Sequence, residues 1–382
     1  MKIATVVGTR PEIIKCAPVI RAIEQTKETE LLLIHSGQHY SADMDTRIFE
    51  DLALSKPHYN LEVGSGSHAR QTGDIMARIE AVFEAEKPDY VLVQGDTNTV
   101  LAAALTAAKL HVPFGHIEAG LRSYDRAMPE EINRIVADHI ADDLFAPTQL
   151  TAEILESEGI DKDRVLVTGN TIVDSVFQNL EIAEANTRAR KLADSMGSKS
   201  IYVTAHRAEN VDDKRKLSQI LEAFTAVSNS LGFTLVWPMH PRTRSRIDEF
   251  GLAGMLRHIR NLTVVGPVGF LESLNLEHKS ALVMTDSGGL QEEACILGTP
   301  CITLRENTER PETVAVGANT LVGTSPSRII DAVTQAAAKH NQHWTNPFGD
   351  GTSSRRIIDH LLTSPKYSDS TVSTPINVKQ GA

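Results

Sequence analysis

The sequence predicts an α/β protein of two doubly wound domains, each a parallel sheet with helices on both faces. Three observations carry this prediction. Short apolar runs alternate with helical stretches along almost the whole chain, the pattern of repeated strand–helix units. Several runs, such as Tyr90-Val91-Leu92-Val93, are continuously apolar, which suits strands buried on both sides. The alternation pauses after Gly169 and restarts beyond Ser195–Ser200, and 382 residues suffice for two domains.

Taken in order, strands are expected at Lys2–Val7, Glu30–His35, Tyr90–Gln94, Pro113–Ile117, Leu144–Ala146 and Val165–Thr168. Helical patterns lie near Glu12–Gln25, Ser41–Leu52, Gln71–Glu86, Thr97–Lys109 and Glu130–Asp142. One long helix is expected from Val173 to about Asp194. The second series of strands is Ile201–Thr204, Thr234–Trp237, Leu262–Val265, Ala281–Thr285, Pro300–Leu304 and Thr320–Val322. The first domain is therefore assigned to residues 1–169 and the second to 170–351, with a helix near 352–363 returning to the first. The Ser/Thr/Pro-rich stretch 364–382 lacks periodicity and reads as a mobile tail. Two such domains facing each other would leave a cleft, with ligands bound beyond the carboxyl ends of the strands.

Composition narrows the function. Hydrophobic residues make up 41% and charged residues 23%, as in a soluble globular protein. A net charge of −11 gives no general attraction to nucleic acid or anionic membranes, so neither is an expected partner and any anion must be held by local groups. Cys16, Cys295 and Cys301 show no C-x-x-C spacing, which suits a reducing compartment. The N-terminal strand is too short for a signal peptide and no apolar run reaches a membrane span, so a cytoplasmic location is expected. There is no Walker A loop, no G-x-G-x-x-G and no histidine cluster with metal spacing, so no metal is expected.

The polar residues just after strands carry the chemistry. Gly8-Thr9-Arg10-Pro11-Glu12, with Lys15 a turn further on, can set fixed positive charge at a helix start. Asp96 follows the strand Tyr90–Gln94 at a helix N-cap, and capping alone is a sufficient reason for it. Glu118 follows His116 at the end of the next strand, where no helix has to be capped. Glu130 and Arg134 lie at i and i+4, hence on one helix face. Carboxylates held close together can have their proton affinities driven apart, giving one acid and one base. In the second domain, His206 and His240 each follow a strand. Asp286-Ser287-Gly288-Gly289 joins a buried strand to a helix, with Asp286 and Ser287 as N-cap residues. The glycines leave room for a ligand at the positive end of that helix, a phosphate site by construction. Glu293 suits a sugar diol rather than phosphate, and Arg310 before Pro311 offers a further cation.

These ordered motifs, Gly8–Glu12, Gln94–Thr97, His116–Arg122, Pro129–Arg134, Ala205–Arg207 and Asp286–Glu293, together with Asn346–Gly351, resemble the non-hydrolysing UDP-N-acetylglucosamine 2-epimerases, in particular their archaeal, short-loop members. The resemblance implies a glycosyltransferase-B architecture, an isomerase of polysaccharide biosynthesis that forms a homodimer, and no nicotinamide or other cofactor. It implies reversible conversion of UDP-GlcNAc to UDP-ManNAc, with UDP eliminated to leave 2-acetamidoglucal and then added back. Proton transfer on two faces of C2 needs two acid/base groups. The departing diphosphate needs fixed positive charge. By motif, Asp96, Glu118 and Glu130 are the acid/base candidates and His206 a catalytic or diphosphate-binding group. Arg10, Lys15, Ser287, Gly288, Gly289 and Arg310 would hold the phosphates, with His240 also on the substrate. Glu293 would take the ribose, and Arg134 would orient Glu130 or the sugar. Gln38 and His39 match a motif near which bacterial members bind UDP-GlcNAc as an activator, although Gly64–Gly73 departs from the bacterial pattern. Two alternatives share these residues. One is 2-epimerisation of UDP-2,3-diacetamido-glucuronate, with Arg126 in the short Ser123–Met128 loop facing the C6 carboxylate. The other is a non-catalytic nucleotide-sugar sensor, which would need only Ser287–Glu293.

Overall fold

The computed structural model describes residues 1–38, 42–338 and 343–368. The chain divides into two compact units, Met1–Thr171 resuming at Gly351, and Ile172–Asp350.

The first unit is built on seven parallel strands: β1 (Lys2–Val7), β2 (Glu30–His35), β3 (Tyr59–Asn60), β4 (Tyr90–Gln94), β5 (Phe114–Ile117), β6 (Asp143–Ala146) and β7 (Val165–Val167), in the order β3-β2-β1-β4-β5-β6-β7. The strands are buried because both faces are covered, which is why their sequences are continuously apolar. On one face Val6, Ile34, Val91 and Val93 pack with Ile75, Ile79 and Ala103; on the other Ile3, Leu92 and Phe145 pack with Val19, Ile23 and Ile357. Ile357 comes from the returning helix Ser353–Thr363.

The second unit repeats the plan with six parallel strands: β8 (Ser200–Thr204), β9 (Thr234–Pro238), β10 (Leu262–Val265), β11 (Leu282–Thr285), β12 (Cys301–Thr303) and β13 (Asn319–Leu321), in the order β10-β9-β8-β11-β12-β13. Trp237, Phe224, Ile220 and Met284 lie in its core. In each sheet the chain runs outward from a first strand and then crosses back to its other side, at β1/β4 in one and β8/β11 in the other. Such switch points are where open parallel sheets bind ligands, and Arg10, Asp96, His206 and Ser287 follow the strands that flank them.

Three expectations need correction. The single helix from Val173 to Asp194 is two, Thr171–Ala185 and Thr187–Asp194. Asn186 breaks it by capping the second, its Oδ1 accepting from Arg188 N at 3.0 Å and Ala189 N at 3.1 Å. The two-residue strand β3 has too little pattern to register in the sequence. Of the stretch expected to be a mobile tail, Pro365–Ser368 is a short helix, and Tyr367 Oη donates to Asp143 Oδ2 at 2.5 Å; the remainder lies outside the described residues. Among the described residues no helix is long and apolar enough to cross a membrane.

Candidate active site

In the first unit the loop after β1 enters the helix Arg10–Gln25 through Thr9, with Pro11 in the first turn. Gly8 is required by space: a Cβ there would collide with the Thr99 and Ser36 hydroxyls. Glu12 folds back, its Oε2 accepting from Gly8 N at 2.6 Å and Thr9 N at 2.7 Å, while Oε1 accepts from the Thr97 hydroxyl. Burial pushes its carboxyl up to about 7 against those hydrogen bonds. Glu12 thus joins the ends of β1 and β4. Arg10 stays exposed at the helix start with no side-chain partner among the described residues.

Two carboxylates stand at the ends of neighbouring strands. β4 and β5 pair in parallel with Gln94 opposite Ile117, so Asp96 and Glu118 leave the sheet side by side. Glu118 is buried in the left-handed region at φ +71°, a conformation that costs a non-glycine residue about 1–2 kcal/mol. Its Oε1 accepts from Lys15 Nζ at 2.5 Å, and Oε2 accepts from the Gln94 amide. Lys15, expected to hold phosphate, therefore faces Glu118 in this structure. Asp96 was expected to cap a helix, but the cap of Asn98–Lys109 is Thr97, whose hydroxyl accepts from Val100 N. The Asp96 carboxylate is left for Arg134, which donates to it through Nη2.

Arg134 does not pair with Glu130. Its Nη1 donates to Glu131 Oε2 at 2.9 Å. Spacings of three and four both lie on one helix face, so spacing alone could not choose between the two glutamates. Glu131 is buried and accepts from Ser123 N and Tyr124 N, each at 2.9 Å, which pins the short loop before the helix Pro129–Ile140. Burial opposes the Glu131 charge, yet these bonds and Arg134 outweigh it and hold the carboxyl below its ordinary range. Glu130, at the first turn of the helix, is half-buried with no side-chain hydrogen bond among the described residues.

Behind the pair lies a buried charge relay. His116 Nδ1 contacts Asp138 Oδ1 at 2.6 Å and Nε2 contacts the Gly95 carbonyl at 2.7 Å. Both ring nitrogens face acceptors, so the ring is an imidazolium. Burial disfavours that charge, but Asp138, Gly95 O and the nearby Glu118 raise the proton affinity above the ordinary value. Asp138 Oδ2 in turn accepts from Arg122 Nη1 at 2.7 Å, and Arg122 Nη2 pairs with Glu158 at 2.7 Å. The Gly95 carbonyl immediately precedes Asp96, so this relay fixes the backbone on which Asp96 stands.

In the second unit, Asp286 is not a helix cap. Fully buried, it turns across to the end of β8 and accepts from His206 N at 2.9 Å, Arg207 N at 2.9 Å and Asn210 Nδ2 at 3.2 Å. Its Oδ1 lies 3.2 Å from His206 Nδ1. Burial opposes its charge, but His206 and these N–H groups hold the carboxyl below its usual range. The His206 ring, 38% exposed, is thereby oriented with Nε2 available. His240 sits 5.8 Å away, centroid to centroid, and its Nδ1 caps the helix Pro241–Glu249 by accepting from Arg242 N at 3.1 Å.

The helix Gly288–Leu297 starts at Ser287, whose side chain makes no capping bond. A Cβ at Gly288 would meet only Glu309 Oε2 at 3.5 Å, and one at Gly289 only Glu293 Oε1 at 3.7 Å and Ser287 Oγ at 3.9 Å. These are ordinary contacts, so internal packing does not demand glycine. The space is left at a helix N-terminus, where N–H groups point outward. Arg310 is directed at Glu292, its Nε donating to Oε2 at 3.1 Å. Sequence reasoning passed over Arg305, which is buried and paired with Glu209 at 2.7 Å and Glu309 at 2.8 Å. Of the possible activator motif, Gln38 is buried and accepts from Thr99 Oγ1 at 2.7 Å, tying β2 to the helix Asn98–Lys109; His39 lies outside the described residues.

Fold and strand-end residues define an α/β enzyme of two Rossmann-like units. Residues 21–362 match the family described as UDP-N-acetylglucosamine 2-epimerase. The chain is 51% identical to the UDP-N-acetylglucosamine 2-epimerase of Methanococcus maripaludis over 96% of this chain and 99% of that one. It is 42% identical to the UDP-2,3-diacetamido-2,3-dideoxy-D-glucuronate 2-epimerase of Pseudomonas aeruginosa over 94% and 99%. The solved UDP-GlcNAc 2-epimerase of Methanocaldococcus jannaschii superposes with a TM-score of 0.89 at 49% identity, covering 95% of this chain and 99% of that one. The same enzyme in complex with UDP-GlcNAc and UDP gives 0.80 at 50% identity and the same coverage. The chain belongs to the non-hydrolysing UDP-N-acetylglucosamine 2-epimerase family, in its archaeal-type branch, and is an isomerase.

Proposed function

We propose that the protein interconverts UDP-GlcNAc and UDP-ManNAc by eliminating UDP to a bound 2-acetamidoglucal and adding it back. The observation that supports this reading most is the placement of Asp96 and Glu118 at the ends of adjacent strands, each held by a cation from a different helix. Removing a proton from one face of C2 and returning it to the other takes two such groups. Glu118 sits against a lysine and Asp96 against an arginine, and each is a carboxyl group placed to take or give a proton. Glu130, half-buried and unpaired among the described residues, is the third candidate.

The leaving group is assigned to the second unit. The Ser287, Gly288 and Gly289 N–H groups and the oriented His206 ring supply hydrogen bonds to a diphosphate. Glu293, beside Gly289, takes the ribose diol. Lys15 and Arg310 each have a carboxylate partner, so we assign them first to holding Glu118 and Glu292 in place. The decisive experiment is incubation with UDP-GlcNAc in D₂O followed by NMR. Deuterium at C2 in both sugars, with UDP-ManNAc formed, is expected. Release of free ManNAc would sink the re-addition of UDP, and conversion without C2 exchange would sink the elimination.

One observation favours a second reading. Arg126 is exposed in the loop that Glu131 pins, where it can meet a C6 carboxylate, and the Pseudomonas aeruginosa relative acts on such a sugar. Comparing kcat/KM for the two UDP-sugars separates them. The glucuronate reading requires a preference for the acidic sugar that Arg126→Ala abolishes.

A further inference from the structure

Glu277 lies on the helix Phe270–Lys279, fully buried, and no role has been given to it so far. Its Oε1 accepts from Ser273 Oγ at 2.8 Å, and that hydroxyl also shares a 2.8 Å hydrogen bond with Tyr202 Oη from β8. Its Oε2 is buried with no N–H or hydroxyl donor in reach. What Glu277 faces instead is the carboxyl of Glu293, whose charge and hydrogen-bonding capacity raise the proton affinity of Glu277. The packing agrees: Leu290 and Ala294, which flank Glu293 on its helix, sit in one apolar cluster with Leu276. On its other side, Glu293 Oε1 stands 3.7 Å from the Cβ position of Gly289, at the open start of the helix.

Two touching carboxyl groups cannot both be ions, so one carries the shared proton. Burial decides which. Glu277 has no exposed surface, and desolvation first, then the charge of Glu293, drives its proton affinity well above the usual carboxylate range. Glu293, partly exposed, is the anion.

We propose that Glu277 is a positioning residue for nucleotide recognition: it donates its carboxyl proton to Glu293 and so presents Glu293, as a fixed carboxylate, to the vicinal diol of a ribonucleotide. This rests on the reading of Glu293 as the ribose-binding group. A charged acceptor of diol hydrogen bonds is worth about ten- to a hundredfold in affinity, provided it is held in one rotamer. The Tyr202–Ser273–Glu277 chain supplies that hold from the sheet itself.

The test is calorimetric titration of the full-length enzyme with UDP and with 2′,3′-dideoxy-UDP. The wild type should prefer UDP by about tenfold or more. Glu277→Leu, which fills the buried site without a donor, should cut that preference to about threefold or less while binding dideoxy-UDP as the wild type does. Glu277→Gln can still give an N–H to Glu293 and accept from Ser273, and should rescue the preference. An unchanged preference in Glu277→Leu overturns the proposal. So does an equal loss for both nucleotides, which would mark a purely structural role. A wild type that binds both nucleotides equally would instead remove the diol reading of Glu293, and this proposal with it; no UDP binding at all would remove the nucleotide-sugar reading.

Discussion

Replacing Glu118 by Gln probes the first unit where it is most constrained. The carboxylate is buried, with Lys15 Nζ at 2.5 Å on Oε1 and the Gln94 amide on Oε2. Glutamine keeps one acceptor oxygen and puts an NH₂ in place of the other. Gln94 can rotate its own amide to meet that NH₂, so the loss falls on Lys15, whose ammonium loses the charge of Glu118. Breaking a fully buried pair costs about 3–5 kcal/mol. The Lys15 side chain is 16% exposed, and water recovers part of that, so we expect about 2–3 kcal/mol of lost stability. In a domain of this size that is a fall in Tm of about 5–10 °C. Turnover is a separate quantity. A general acid or base contributes about 10²–10⁴-fold, or about 3–5 kcal/mol of barrier. The paired assay is therefore calorimetry for Tm and a coupled rate assay for kcat, with UDP affinity as control, since the groups assigned to UDP lie on the second unit. Adding Lys15→Met should return Tm towards the wild type by removing the charge that Glu118 had balanced, and should leave turnover low. A folded Glu118→Gln enzyme that turns over within about tenfold of wild type would refute the acid/base assignment.

Gly288→Ala separates packing from ligand space. Its Cβ meets nothing closer than 3.5 Å, so stability should hold or rise slightly, by up to about 0.5–1 kcal/mol of helix propensity. UDP affinity should fall by about tenfold or more, and unchanged affinity would move the diphosphate elsewhere. Glu131→Gln removes an acceptor from two loop amides and Arg134; limited proteolysis at Ser123–Met128 should quicken several-fold and kcat/KM should drop about tenfold. Asp143 is a stability probe with a defined pH sign. Burial opposes its charge, but His360, Tyr367, Tyr90 and Lys366 outweigh that and bring it to about 2. A depressed carboxylate stabilises the fold above its unfolded value near 4 and loses that contribution as pH falls towards 2. Asp143→Asn should cost about 1–2 kcal/mol at neutral pH, allowing for screening, and flatten the acid limb of the stability curve between about pH 4 and 2. An unaltered acid limb would show that the cluster does not anchor the helix Ser353–Thr363.

Local pattern was enough for the longer buried strands. The runs Lys2–Val7, Glu30–His35 and Tyr90–Gln94 are strands with those very bounds, because a strand buried on both faces must be apolar throughout. Strand-end polar residues were legible for a related reason: at the end of an apolar strand, Asp96, Glu118, His206 and the glycines at 288 and 289 stand out. Partners were not legible. Lys15 and Glu118 are 103 residues apart, His206 and Asp286 eighty, and nothing in either local window names the other. The N-cap rule was right for Ser287 and misled for Asp96 and Asp286, since Thr97 and Ser287 occupy the caps. Their carboxylates were claimed by Arg134 and by the turn after β8, which only the parallel pairing of β4 with β5 and of β8 with β11 brings into reach. The sequence by itself determined which polar side chains stand at the strand ends, since periodicity is a short-range property. Tertiary structure alone decided which charges they meet, because ion pairs such as Lys15–Glu118 and Arg134–Asp96 depend on distances that separate segments acquire only on folding.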